Sequence, residues 1–450
     1  MKSKAIILIL LITLIIPPIK TWSQYKEIRG KIVDKETLEA IPYCSISLKN
    51  SLIGCCTNSS GEFIFHYPDS LLNRDLIITC IGYKTVSLRL DSLNCKVTAN
   101  ITLIPELYQL SEINVIPNQM SAKDIVKQVI RRMHKNFPRK PYYLEGFMRD
   151  KVYNLYDNKT TRLTEAAIGI EKREFGNENN AEKVKVLEIR NSYNYSKLGS
   201  SIKEKLIQMF YGYSNENPVY ATLQNADYAS NKALSQLIKD DLFHIFFSGQ
   251  TMLNGKAVFI VDLKEEYFMF MFQKWPTNGR LYHLIRLYIE DGSYAILKSE
   301  YYTIMNIPKE LFNNDEIKFH IKQDTIATFA VKQYEKIEGQ YYLKYAGNYG
   351  RIHDQPDLGE MGKTLYNNET EVLINKTIVN RKEFDRISRK NSLQKDIPLW
   401  DMKYIYDPSF WQNYNILEDK PLDPSVKKDL EREVPLYEQF INAGVKNSKK

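Results

Sequence analysis

Between Ile28 and Leu103, polar clusters alternate with short runs of apolar and β-branched residues. Short strands separated by tight turns are written this way, and the pattern predicts a small β-sandwich over residues 26–105. The period then changes. Ser121-Ala-Lys-Asp124 has the form of a capping box with Asp at the distal position, and Ile125, Val126, Val129, Ile130 and Met133 recur at helical spacing until Pro138 and Pro141 stop the run. This predicts an amphipathic helix of about four turns inside a linker-and-helix segment, residues 106–140. Lys127, Arg131, Arg132 and Lys135 give the helix basic positions. A membrane-surface helix is one reading of them; a helix packed on the next sheet, with its charges in water, is preferred because the apolar stripe is narrow.

From Tyr142 the writing returns to period two. A strand through Tyr143–Asp150 leads to a turn at Asp157-Asn158 and a return strand over Thr161–Glu171. Two helices are expected at Ile202–Phe210 and Lys232–Ile238. Gly249 to Asp262 reads as a turn followed by a strongly apolar strand. Arg286 to Tyr302 reads as a hairpin turning at Asp291-Gly292, since Gly tolerates the positive φ that such turns need. Further strands are expected at Ile317–Ile321, Ala327–Ile337 and Tyr341–Gly347. The fold class is mainly β, in the α+β sense: a sandwich, then a larger antiparallel domain with a few helices over 141–395. An aromatic tail over 396–446, with Trp400, Phe410, Trp411 and Tyr414, folds back to close a core; a partner-docking surface is its alternative. Asn447 onward is expected to be disordered.

The opening G-K-I-V-D-x-x-T-L-E-A-I-P (Gly30 to Pro42), the T-N-S-S-G-E-F turn (Thr57 to Phe63) and Gly82-Tyr83 resemble the carboxypeptidase-regulatory-like domain. That resemblance implies a transthyretin-like sandwich of the kind found at the front of many cell-envelope proteins of Bacteroidetes, with no peptidase activity. Ile41 before Pro42 and Asn58, where an Asp is common, depart mildly from the pattern. The helix ending in N-F-P, the G-F-x-R-D strand, the L-x-E-A-x-x-x-I strand and the F-W-x-N-Y-N and L-x-x-Q-F elements of the tail look like a set of Bacteroidetes envelope proteins with no established chemistry. The V-x-x-V-D-L strand followed by a D-G-S-Y hairpin is similar to lipoprotein-carrier half-barrels, in which a curved sheet wraps helices around an acyl chain. A half-barrel is therefore one form of the second domain.

Residues 1–23 carry a charged start, an apolar run from Ala5 to Ile16 and a Thr21-Trp22-Ser23 end, which is the pattern of a secretory signal peptide. Export to the periplasm, or association with the outer membrane, follows as the expectation. No later run reaches the length of a membrane-spanning helix. The 450 residues exceed one ordinary core, so at least two are expected. The formal charge of +8 includes three leader lysines and forms no dense basic run, which argues against a nucleic-acid partner. Tyrosine is unusually common at 31. Sheet surface is the preferred reading, with an aromatic ligand groove as the alternative. All five cysteines lie in the sandwich segment. They show no zinc spacing, and Cys44 alternates with Ile46 and Leu48 as a buried strand residue; free buried thiols are preferred over one or two disulfides.

The candidate binding residues are Arg149 and Glu165, which hairpin strands bring opposite one another. A cross-strand ion pair is usually structural, and a ligand-reading role is the sharper alternative. No G-x-S-x-G, H-E-x-x-H or Gly-rich phosphate loop occurs, and the six histidines have no paired spacing, so no cofactor, metal or catalytic residue is assigned. The leading functional expectation is a non-enzymatic envelope protein in a binding or adaptor role, whose partner is an envelope protein, a glycan or a lipid. A carrier of a lipid or other apolar ligand and a hydrolase with a dispersed site are the alternatives. An apolar cavity would favour the carrier, and a His beside a hydroxyl or carboxylate in a cleft would favour the enzyme.

Overall fold

The computed structural model describes residues 25–49, 51, 53–58, 60–92, 99–106, 120–154, 158–172, 183–195, 218–224, 226–228, 233–239, 243–268, 280–306, 324–352, 366–388, 399–402, 404–412, 414 and 424–446. The leader, the helix expected at Ile202–Phe210, the strand expected at Ile317–Ile321 and the final residues from Asn447 lie outside them, as does most of the linker.

The N-terminal strands are β1 (Tyr25–Asp34), β2 (Ser45–Leu48), β3 (Gly54–Cys56), β4 (Glu62–Pro68), β5 (Asp75–Thr79), β6 (Val86–Arg89) and β7 (Ala99–Leu103). They form two facing sheets, ordered β4-β1-β7 and β3-β2-β5-β6. Local chemistry turns the chain between them. Asp34 Oδ1 accepts from the N–H groups of Glu36 (2.7 Å) and Thr37 (2.9 Å). Asn58 Oδ1 accepts from Ser60 and Glu62, each at 2.9 Å, so the Asn performs the turn-closing role an Asp would have. Between the sheets lie Ile28, Ile32, Ile46, Leu48, Phe63, Phe65 and Ile78, all buried.

The second unit is one ten-stranded antiparallel sheet built from β8 (Tyr142–Asn154), β9 (Lys159–Lys172), β10 (Lys183–Asn191), β11 (His244–Leu253), β12 (Lys256–Phe268), β13 (Arg280–Glu290), β14 (Ile296–Asn306), β15 (Asp324–Ile337), β16 (Gln340–Ile352) and β17 (Tyr366–Ile378). Its order is β10-β9-β8-β17-β16-β15-β14-β13-β12-β11. Two meanders, β8 to β10 and β11 to β16, are joined by β17, and the sheet stays open with β10 and β11 as its edges. Asp291-Gly292 turns the β13–β14 hairpin as expected, with Gly292 at φ +80°. The Gly249 segment differs from expectation. Gly249 lies inside β11 at a bulge, and the turn into β12 is Asn254-Gly255, both at positive φ.

Helix α1 (Ala122–Asn136) is capped by Ser121, whose Oγ accepts from Asp124 N–H at 3.1 Å and donates to Asp124 Oδ2 at 2.8 Å. Ile125, Val126, Val129 and Met133 pack on Val258, Val261, Leu263, Ile285 and Leu287 of the sheet. Burying each of these helix side chains contributes about 1.5–3 kcal/mol. Arg132 reaches the hairpin turn, bonding the Gly292 carbonyl and lying over the Tyr294 ring. Helices α2 (Pro218–Gln224) and α3 (Ala233–Lys239) cover the same face. The opposite face receives the sandwich and part of the tail: Phe147, Ala167, Val331, Tyr345, Leu373 and the tail's Trp411 share one core with the sandwich residues, while the tail's Leu399 packs with the α2 residues. Helix α4 (Arg381–Ser388) follows β17, and the tail carries α5 (Pro408–Trp411), α6 (Pro424–Leu430) and α7 (Leu436–Lys446). Leu430, Leu436 and Phe440 close a small core over Leu163.

Candidate functional site

On the sandwich side of the large sheet, strand registers align one row of residues from edge to edge. It runs Phe246, Asp262, Arg286, Glu300, Val331, Gly347, Glu371, Arg149, Glu165, Arg190. The acidic and basic positions alternate at both ends of the row. Arg286 binds Asp262 through two bonds of 2.8 Å. Arg149 Nε donates to Glu165 Oε1 at 2.8 Å, while Arg190 Nε donates to Oε2 at 2.5 Å. Burial alone would raise Glu165, but Arg190 and Arg149 outweigh it and hold its carboxyl below the ordinary range. Arg190 is stacked on Trp411, 4.4 Å from the ring centre, and packs on Phe440. Arg149 and Glu165 are thus opposite one another, as their spacing predicts, with both carboxylate oxygens taken up and the tail lying over the bridge.

Tyr43 and Ile53 help bind the sandwich to this face. Tyr43 stacks on Tyr345 with centroids 4.6 Å apart, its Oη lies 2.6 Å from Tyr349 Oη, and Tyr345 donates to Glu371 Oε1 at 2.7 Å. Ile53 makes an antiparallel bridge with Lys376, where a bulge in β17 shifts the register after Ile374.

Beside that bridge a cleft of about 600 Å³ opens between the two units. One wall is the β2–β3–β5 side of the sandwich, and the other is the β15–β16 turn with β17. Leu48, Ile53, Ile77, Ile337 and Ile374 supply aliphatic surface, and Lys49, Lys336, Lys344 and Lys376 line the cleft with Glu335 and Glu338, the Lys336 ammonium lying over the Tyr341 ring. Lys344 is buried and held by Glu335 Oε2 at 3.4 Å, whereas Lys49 and Lys376 stand partly in solvent, paired loosely with Asp75 and Glu383. Exposed pairs of this kind contribute little and exchange partners readily. The arrangement can take a ligand with one anionic group and an apolar part. Sequence spacing could not reveal it, because its lysines come from four separate strands or turns spread over most of the chain.

His283 gathers polar partners. His283 Nδ1 lies 2.6 Å from Tyr301 Oη and 3.4 Å from Thr303 Oγ1, and Glu265 stands across from it on β12. Burial lowers the His283 pKa, with Glu265 acting the other way, so the ring is neutral near neutrality.

Residues 28–115 match the CarboxypepD_reg-like domain. The match begins inside β1 and continues past β7. None of the curated proteins matches the chain. Solved structures overlap it loosely. A LolA superfamily protein from Nitrosomonas europaea is 8% identical, with a TM-score of 0.24 over 58% of this chain and 94% of that one. A DUF1329 family protein from Desulfovibrio piger is 11% identical, with a TM-score of 0.24 over 60% and 99%. Overlaps this loose do not establish a shared arrangement of elements.

Proposed function

We propose that the chain is an exported, non-enzymatic binding protein of the cell envelope that takes an anionic amphiphile, a lipid with a phosphate or carboxylate head, between its CarboxypepD_reg-like domain and its large sheet. The lining of the cleft carries this reading: aliphatic side chains and the lysines Lys49, Lys344 and Lys376 border a space of about 600 Å³. Lys49 comes from the sandwich and Lys376 from β17, so a bound anion would be held from both walls at once. Export, and a place in the periplasm or at the outer membrane, rest on the leader pattern. A carrier for a purely apolar ligand fits less well, since charged groups crowd the same space and desolvating them is costly.

Native mass spectrometry on the protein recovered from an exporting bacterial host tests this. A reproducible added mass that is lost on denaturation and identified as an anionic lipid supports the reading; recovery of the bare chain from lipid-rich extracts counts against it.

The hydrolase is a second reading, favoured by the Glu265–His283–Thr303 row. Ester hydrolysis lost on His283→Ala with the fold intact would support it, and an absence of turnover across acyl and aryl esters would remove it.

A further inference from the structure

Cys44 and Cys80 lie one step beyond the paired ends of β2 and β5, whose register sets Ser45 against Thr79. Continuing that antiparallel register puts the two cysteines directly across from one another. Their backbones do not bond each other: Cys44 gives its N–H to Thr57 Oγ1 at 2.8 Å and its carbonyl to Thr57 N–H at 3.0 Å, and the Cys80 carbonyl accepts from Tyr83 at 3.1 Å. At such non-bonded positions facing side chains stand closest, with Cα atoms about 4.5 Å apart, inside the range a disulfide requires. The two side chains interact, and the Cys44 thiol lies 3.6 Å from the Ile41 carbonyl, to which it donates. Cys44 is buried and Cys80 half-buried, so Cys80 is the more exposed residue of the two. The interaction with Cys44, with Lys298 of β14 nearby, holds the Cys80 thiol below its ordinary pKa despite burial, whereas burial raises Cys44.

We propose that Cys44 and Cys80 are a redox site that closes to a cross-strand disulfide by exchange with a small-molecule disulfide such as oxidised glutathione. The Cys80 thiolate attacks one glutathione sulfur, the glutathione S–S bond breaks and one glutathione thiolate leaves. Cys44 then attacks the Cys80 sulfur of the mixed disulfide and expels the second. The two protein thiols lose two electrons to the glutathione disulfide, and their two protons end on the released thiols. The bond fixes the base of the loop 80–83, whose Gly82 N–H bonds the Met252 carbonyl of β11 at 2.8 Å and whose Tyr83 Oη bonds Asp34 at 2.9 Å. Oxidation therefore locks the sandwich loop that docks on the edge strand of the large sheet.

The test equilibrates the folded full chain with glutathione buffers from fully reducing to fully oxidising, quenches with acid, alkylates after unfolding, and maps the peptides. The expected result is a linked Cys44–Cys80 peptide pair, lighter by two hydrogens than the reduced pair, that disappears on reduction. Slower amide exchange at Gly82 in the oxidised protein is expected with it. Full alkylation of both cysteines in the most oxidising buffer would overturn the proposal, as would a dominant link from either one to Cys55, Cys56 or Cys95. Cys80→Ala, at the half-buried position, is the control that spares the core. Cys44 should then stay alkylatable, and a new Cys44 bridge to Cys55 or Cys56 in that variant would contradict the assigned pairing.

Discussion

Gly347 of β16 lies directly across from Glu371 of β17, and the space its missing side chain leaves is filled by tyrosine rings. A Cβ there would stand 2.8 Å from Tyr345 Oη and 3.0 Å from Tyr349 Cε2. Both tyrosine hydroxyls donate to Glu371 Oε1, and the sandwich's Tyr43 joins them through Tyr349. Gly347→Ala should push the hydroxyls off the carboxylate and destabilise the protein by about 1–3 kcal/mol. Urea denaturation followed by tyrosine fluorescence checks this, and an unchanged midpoint would mean that the rings relax without loss.

Glu165 neutralises two arginines in a place where water cannot. Breaking a buried pair by removing one partner costs about 3–5 kcal/mol, because charge is left uncompensated. Glu165→Gln should therefore lower stability by that order. It should also shrink the acid-sensitive part of the unfolding curve. The folded Glu165 carboxyl is held below its ordinary pKa, so the stability it contributes is present above about 4.5 and is lost as pH falls through its folded value. Wild type and variant compared from pH 7 to pH 3 should converge at the acid end.

On the helix side of the sheet, Lys172 and Lys332 share one carboxylate, Asp227, at 3.7 and 3.5 Å. Burial lowers both lysines to about 8, although Asp227 opposes it. An unfolded lysine keeps its proton to about 10.5, so from pH 8 upward the unfolded chain binds more protons and stability rises with pH. Buried thiols and phenols act in the opposite direction at higher pH. Cys55 is pushed up to about 12 from an ordinary 9.0, and burial raises Tyr142, Tyr228 and Tyr345. Above about pH 9 to 10 the unfolded chain loses these protons first, and stability falls. Denaturation midpoints should peak near pH 9, and Lys332→Met should flatten the rise between 8 and 9. A monotonic fall from pH 7 would show that the lysines keep ordinary affinities.

The sandwich was legible in the sequence because its turns are closed locally, by Asp34 on Glu36 and Thr37 and by Asn58 on Ser60 and Glu62. Helix α1 was legible for the same reason, through Ser121 and Asp124. The strand β17 was not. Its Val372, Leu373 and Ile374 are buried on both faces, so no period-two alternation marks it, and its opening residues are polar. The Arg149–Glu165 contact followed from one hairpin, yet the row that continues to Arg190 and back to Asp262 depends on pairings between strands far apart in sequence. The cleft was hidden for that reason too: nothing local ties Lys49 to Lys376.

The central claim is that the cleft between sandwich and sheet selects an anionic amphiphile. Calorimetric titration with monomeric dihexanoyl phosphatidylglycerol and dihexanoyl phosphatidylcholine compares an anionic and a zwitterionic head on the same chains. The anionic lipid should bind one to one and more tightly, with an affinity that falls as salt rises. Lys49→Ala with Lys376→Ala should reduce that preference at least tenfold while leaving the unfolding midpoint nearly unchanged. Equal binding of the two lipids, no binding of either, or a double variant that keeps the full preference would contradict the account.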